Sequence, residues 1–351
     1  MTDLLMKLIK IEGVSGDECE VRSILANEIK KYVKEVYMDK FGNLIAYKKG
    51  KKPSILLAAH MDEVGLMIKR IDKFGRIFIS AIGGIEAYSL IGEKVNIKTK
   101  KNGEIKGIIT MYDMQDGYPV EKLPEMKDIY VDTGLKKEEL DKKGVEPGIY
   151  LYFDTVGGTL GKKEIIYGKA LDDRIGCYQL VELAKRLKKF DREIYFIFTV
   201  QEEVGLYGAK TSSANISPDI GLIMETTTAN DSFDEPTKSL GKGPCITIKD
   251  EGMITNSKIN ELLIDIAKKN KISIQLEVSN FGTTDGLSIS LSNGGVPTSV
   301  IGVAVRNIHT SVSIAHMNDV DNGIKLAEKF IREVKFTPKK QIIKEGSHVM
   351  K

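Results

Sequence analysis

The chain has 351 residues, 42% of them hydrophobic and 29% charged, which is long enough for two domains and a large buried core. Fifty-two Lys and Arg stand against 49 Asp and Glu, a formal charge of +3 with no run of either sign, so neither nucleic acid nor a membrane surface is expected as a partner. Cys19, Cys177 and Cys245 lie far apart without Cys-x-x-Cys spacing, which argues against a disulfide framework and a thiolate zinc site and fits a reducing compartment. The N-terminal MTDLLMKLIKIEG mixes acid and base into a short apolar stretch, and no span of roughly 18 uncharged apolar residues follows. A cytoplasmic location is therefore expected.

Apolar residues at helical spacing predict helices over 3–10 and 17–34, followed by strands over 43–47 and 54–59. The second strand is a continuous apolar run of the kind buried on both faces of a parallel sheet. From about 66 to 164 the texture changes to short alternating strands broken by turn pairs: Phe74-Gly75, Gly83-Gly84, Asn102-Gly103, Asp116-Gly117 and Gly157-Gly158. Helix and strand then alternate again: a helix over 174–190, strands over 194–200 and 221–224, a helix over 257–270, a strand over 274–278, a strand-like run over 297–305 and a final helix over 318–334. The expected architecture is an α/β domain made of residues 1–65 and 165–351, interrupted by a small β-rich insert over 66–164. The lysine pairs Lys100-Lys101, Lys136-Lys137 and Lys339-Lys340 read as solvated faces and turns.

Several candidate chemical groups fall at strand ends. In Ala58-Ala59-His60-Met61-Asp62-Glu63-Val64-Gly65 a buried strand closes on a His-x-Asp pair. Residues two apart in extended chain share a side, so His60 can offer one ring nitrogen to a metal while Asp62 accepts from the other. Asp172 and Asp173 directly precede a helix; taken alone that position favours a capping role, and the functional reading makes Asp172 a carboxylate that bridges two cations. Glu202 and Glu203 follow the strand ending at Val200, on the rim where open α/β sheets hold ligands. Adjacent acids in a non-helical segment point apart, so one can bind metal while the other handles protons. Glu225 ends an apolar strand, and His309 closes the run after Pro297. Any one of these alone has an ordinary structural reading. Together they supply oxygen and imidazole donors without thiolate, as suits a pair of hydrolytic Zn²⁺ or Co²⁺ ions. His316, His348 and Cys177 are expected outside the site, as packing or surface groups.

In order and local wording, AAHMDEVG, GKALDDRIG, QEEVGLYGA, METTT and RNIHT resemble the co-catalytic metallo-aminopeptidases of the tetrahedral, dodecameric type. The resemblance covers essentially the whole chain. It implies an α/β/α metallopeptidase domain with a barrel-like insert, and hydrolysis of the N-terminal residue from short peptides. It further implies that His60, Asp172 and Glu225 hold one metal and Asp172, Glu203 and His309 the other, with Glu202 as general base and Asp62 steering His60. Thr284 and Asp285, in Phe281-Gly-Thr-Thr-Asp-Gly286, match a stretch near the substrate pocket. Glu225 stands where Asp is the commoner residue. A dodecamer whose insert encloses the active sites is implied as well. The residues alone leave open a deacylase, amidase or carboxypeptidase of the same wider fold, a glycosidase working through two acids, and a binding protein without activity.

Overall fold

The computed structural model describes residues 3–335 other than 102, 113, 115–121 and 215. Asn102, the Asp116-Gly117 pair, Lys339-Lys340 and His348 lie outside the described residues.

The core of the molecule is one mixed sheet with the strand order β1-β2-β12-β3-β13-β16-β17-β11-β10. Its centre consists of four parallel strands: β12 (Ile194–Thr199), β3 (Ile55–His60), β13 (Ile220–Thr228) and β16 (Thr298–Arg306). Antiparallel strands flank them: β1 (Glu35–Met38) and β2 (Leu44–Lys48) on one side, β17 (Ser313–His316), β11 (Lys162–Gly168) and β10 (Gly158–Leu160) on the other. β14 (Cys245–Lys249) pairs with β16 and carries β15 (Gln275–Val278).

Why this sheet forms is plainest in β3. Every residue of Ile-Leu-Leu-Ala-Ala-His is buried. Ile55, Leu57 and Ala59 enter one core and Leu56 and Ala58 the other, as the two-residue strand period requires. The first core is covered by α1 (Asp3–Leu8), α2 (Cys19–Ile29), α4 (Leu171–Arg186), α6 (Ser257–Lys269) and α8 (Met317–Glu333). The second is covered by the short helices α5 (Tyr207–Ser213) and α7 (Asp285–Leu291). α8 buries Val320, Ile324, Ala327, Phe330 and Ile331, three or four apart on one face. Each of the larger of these contributes about 1.5–3 kcal/mol through burial. The result is the expected α/β/α sandwich.

A closed barrel of six strands occupies the middle of the chain: β4 (Gly65–Ile71), β5 (Ile77–Ile82), β8 (Ile129–Asp132), β7 (Glu104–Met111), β6 (Lys94–Lys98) and β9 (Tyr150–Phe153). Closure leaves no strand edge exposed. Along β7 buried and exposed residues alternate strictly from Glu104 to Ile109, and the apolar inward residues join a core separate from the sandwich. This stretch also holds the two-turn helix α3 (Lys137–Lys143), which ends on Gly144 in the left-handed conformation.

Helix ends differ most from the sequence expectation. α2 starts at Cys19, after Glu18, whose carboxylate accepts from Gly16 N, and Asp17, whose carboxylate accepts from Tyr152 of the barrel; it ends at Ile29, where the chain turns toward β1. α4 starts three residues before the expected position, and the peptide joining Asp172 to Asp173 is cis.

Candidate active site

The parallel strands all deliver their carboxyl ends to one side of the sheet. β3 ends on His60, β12 leads into residues 201–203, β13 carries Glu225, and the turn after β16 carries His309. α4 adds Asp172 from its first turn. These side chains line one cleft of about 970 Å³.

Asp172 is the hub. Its Oδ1 lies 3.2 Å from His60 Nε2 and its Oδ2 lies 3.3 Å from His309 Nε2. His60 Nε2 is also 3.5 Å from Glu225 Oε1, and His309 Nε2 is 3.3 Å from Glu203 Oε2. Two groupings therefore share one carboxylate. Donor atoms of His60, Asp172 and Glu203 also lie within 4.8 Å of one another, as do those of His60, Asp173 and Glu225. Asp173, which the sequence suggested only as a helix cap, is thus a neighbour of the site, fully buried and held by Gly176 N at 2.9 Å.

The far nitrogens of both rings are also engaged. His60 Nδ1 faces Asp62, 3.2 Å from its carbonyl oxygen and 3.4 Å from Oδ1. His309 Nδ1 faces the carbonyl of Gly84 at 3.1 Å, a residue of the turn that follows barrel strand β5. Such partners fix tautomer and ring orientation. Cys177 donates its thiol to the His60 carbonyl at 3.1 Å and is fully buried, outside the donor set. His316 accepts from Asn318 N at the start of α8.

The electrostatics are those of crowded carboxyls. Burial lifts the Glu202 carboxyl well above its ordinary range, and Asp285, Glu203 and Glu225 add to the rise against the pull of His60. Burial and then Asp172 raise Glu203 to about 8. Asp172 moves the other way, since hydrogen bonds from His309 and His60 outweigh its burial. Burial opposes protonation of both imidazoles. The carboxylates of Glu225, Asp172 and Asp62 nonetheless raise His60 well above its ordinary value, and Asp172 and Glu203 raise His309 to about 9.

These residues suit cations. Glu203 Oε1 and Glu225 Oε2 are buried without a hydrogen-bond partner, and buried carboxyls massed around two imidazoles demand positive charge. Thr284 lines the cleft, whereas Asp285 lies fully buried behind it, its Oδ2 accepting from Thr199.

The model of the M42 glutamyl aminopeptidase family matches residues 42–326. The lysyl aminopeptidase of Pyrococcus furiosus is 35% identical over 353 residues, covering 96% of this chain and 99% of the relative. The solved aminopeptidase APDkam598 of the archaeon Desulfurococcus kamchatkensis superposes with a TM-score of 0.89 at 36% identity, covering 95% of this chain and 94% of its own. The TET1 peptidase of Pyrococcus horikoshii, described as able to assemble into a tetrahedron or a large octahedral shell, gives 0.84 at 30% identity over 95% and 99%. The chain belongs to the M42 glutamyl aminopeptidase family. It is a peptide hydrolase, an aminopeptidase that depends on divalent metal.

Proposed function

We propose that the enzyme releases the N-terminal residue of short peptides in the cytoplasm. His60, Asp172 and Glu225 hold one divalent ion, and Asp172, Glu203 and His309 the other. The observation that carries this reading is the division of Asp172, one oxygen toward each histidine. Oxygen and imidazole donors without thiolate favour Zn²⁺ or Co²⁺. Bound there, the ions supply Lewis acidity to the scissile carbonyl and acidify the attacking water.

Glu202, buried in the same cleft, is the general base: it takes the proton of the attacking water and returns it to the leaving amine. Asp62 orients His60. The free amino group of the substrate lies near the acidic residues, and Thr284 contacts the first side chain from a segment whose floor is Asp285. Glu225 reaches farther than the commoner Asp and remains a competent oxygen donor.

We further propose that residues 1–65 and 165–351 form the catalytic unit and that the insert, residues 66–164, serves assembly and substrate access. By analogy with the assembling relative, the assembly is a homo-dodecamer. Among the described residues no helix is long and apolar enough to cross a membrane.

The test is release of amino acids from a panel of peptides, free and N-acetylated, by protein stripped with chelator and resupplied with Zn²⁺ or Co²⁺. Metal-dependent stepwise release from free N-termini alone supports the reading. Equal release from acetylated peptides overturns it.

A further inference from the structure

Three consecutive backbone amides ahead of and within the acidic pair are held by two buried carboxylates. Gln201 N donates to Glu18 Oε1 at 3.2 Å, Glu202 N to Asp62 Oδ1 at 3.1 Å and Glu203 N to Asp62 Oδ2 at 3.3 Å. Gln201 sits at φ +54°, a conformation that non-glycine residues adopt only when their surroundings enforce it. Both carboxylates are tied to one short loop, residues 13–18. Ser15 Oγ donates to Asp62 Oδ2 at 2.6 Å, and Glu18 itself belongs to the loop, its Oε1 accepting also from Gly16 N at 2.7 Å. Ser15 and Glu18 are each 4% exposed and Asp62 is fully buried.

The loop is itself anchored. Val14 bridges Glu63 in parallel, with Ser15 N on the Glu63 carbonyl at 3.2 Å and Glu63 N on the Gly13 carbonyl at 2.9 Å. Gly13 N donates to the Glu63 carboxylate at 3.0 Å, and Lys169 caps that carboxylate from the other side. From the barrel, Tyr150 donates to the Ser15 carbonyl at 3.3 Å and Tyr152 to the Asp17 carboxylate.

We infer that loop 13–18 is a positioning strap for the catalytic segment, with Ser15 and Glu18 as positioning residues that act through Asp62 and Gln201. The inference rests on the proposed roles of His60 and Glu202. Ser15 stands behind the metal side, because Asp62 faces His60. Glu18 stands behind the base, because it holds the residue preceding Glu202. Asp62, hydrogen-bonded directly to a proposed metal ligand, is the kind of group whose loss typically costs 10–100-fold in metal affinity or activity, and Ser15 acts one bond behind it, at the low end of that range; small displacements of reacting groups cost comparably in rate.

The test uses full-length, assembled enzyme carrying Ser15→Ala, Glu18→Ala or Glu18→Gln. Three quantities are measured: Zn²⁺ affinity of stripped protein by calorimetric titration, kcat and KM on one peptide, and the thermal midpoint of the metal-free form. Ser15→Ala is expected to weaken Zn²⁺ binding by about 10-fold or more, with KM nearly unchanged. Glu18→Ala is expected to lower kcat by about 10–100-fold while Zn²⁺ affinity stays close to wild type. Glu18→Gln, whose amide oxygen accepts the same two bonds, is expected to restore kcat. Folded Ser15→Ala protein with wild-type Zn²⁺ affinity overturns the role of Ser15. Equal impairment of Glu18→Ala and Glu18→Gln, or wild-type kcat in both, overturns that of Glu18. A Glu202→Gln enzyme assayed alongside separates the two readings: full activity there removes the proposed mechanism, whereas the Zn²⁺ titration of Ser15→Ala still judges the strap.

Discussion

Thr226 donates its hydroxyl hydrogen to Asp172 Oδ1 at 2.8 Å, the same oxygen that faces His60 Nε2. The hydroxyl holds the shared carboxylate in the rotamer that serves both histidines. Thr226→Val keeps the shape and removes the donor. Its Zn²⁺ affinity, followed by titration of stripped protein, should fall by about 10-fold with little change in fold.

Glu202→Gln replaces the proposed base with an isostere that cannot take up a proton. Activity should drop by about 10²–10⁴-fold, the ordinary contribution of a positioned general base. Bound metal, measured on the purified protein, should stay at the wild-type level because Glu202 is outside both proposed donor sets. Undiminished turnover would sink the mechanism.

Asp285 yields a pH prediction. Burial raises its carboxyl to about 7, with Glu225 and Asp62 reinforcing the rise against the bond from Thr199. A carboxyl raised in the fold binds its proton where the unfolded chain has already released it. Its contribution to stability is present at low pH and fades as pH climbs from the ordinary aspartate value through about 7. Wild type should therefore lose ground to Asp285→Asn over that interval, by at most about 1.4 kcal/mol per pH unit. Thermal midpoints of the two proteins across the interval decide it; parallel curves would contradict it.

Glu63 is hydrogen-bonded by both Lys169, at 2.6 Å, and Arg174, at 3.4 Å, and all three side chains are buried. Glu63→Gln leaves two buried cations facing a neutral amide. The loss should be about 3–5 kcal/mol, as when one partner of a buried pair is removed. Denaturant titration of the stripped protein measures it. A change under about 1 kcal/mol would show that the carbonyls around Arg174 suffice.

The parallel centre of the sheet was legible because β3 and β12 are uninterrupted apolar runs, and the barrel because its turns recur at short intervals. His60, Glu202, Glu203 and His309 were legible because each falls at or just past a strand end, and strand ends in such sheets share one rim; Glu225, expected to end a strand over 221–224, lies inside the longer β13, which runs on to Thr228. Asp173 was missed since its sequence signal, an acid before a helix, is also that of a cap. The roles of Ser15, Glu18 and Gly84 left no local signal at all. Each acts across a long sequence separation, and no periodicity reports a contact that only the closed fold creates. Short elements such as α5 and α7 escaped for a related reason: seven residues carry too little pattern, and tertiary packing decides them.

The barrel reaches the catalytic side through Gly84 on His309 and through Tyr150 and Tyr152 on loop 13–18, among other contacts. A carbonyl and two phenols lent by one module thus complete the chemistry of another. Exchange of barrels between relatives would graft cleanly only if these lenders came along with the matching recipients.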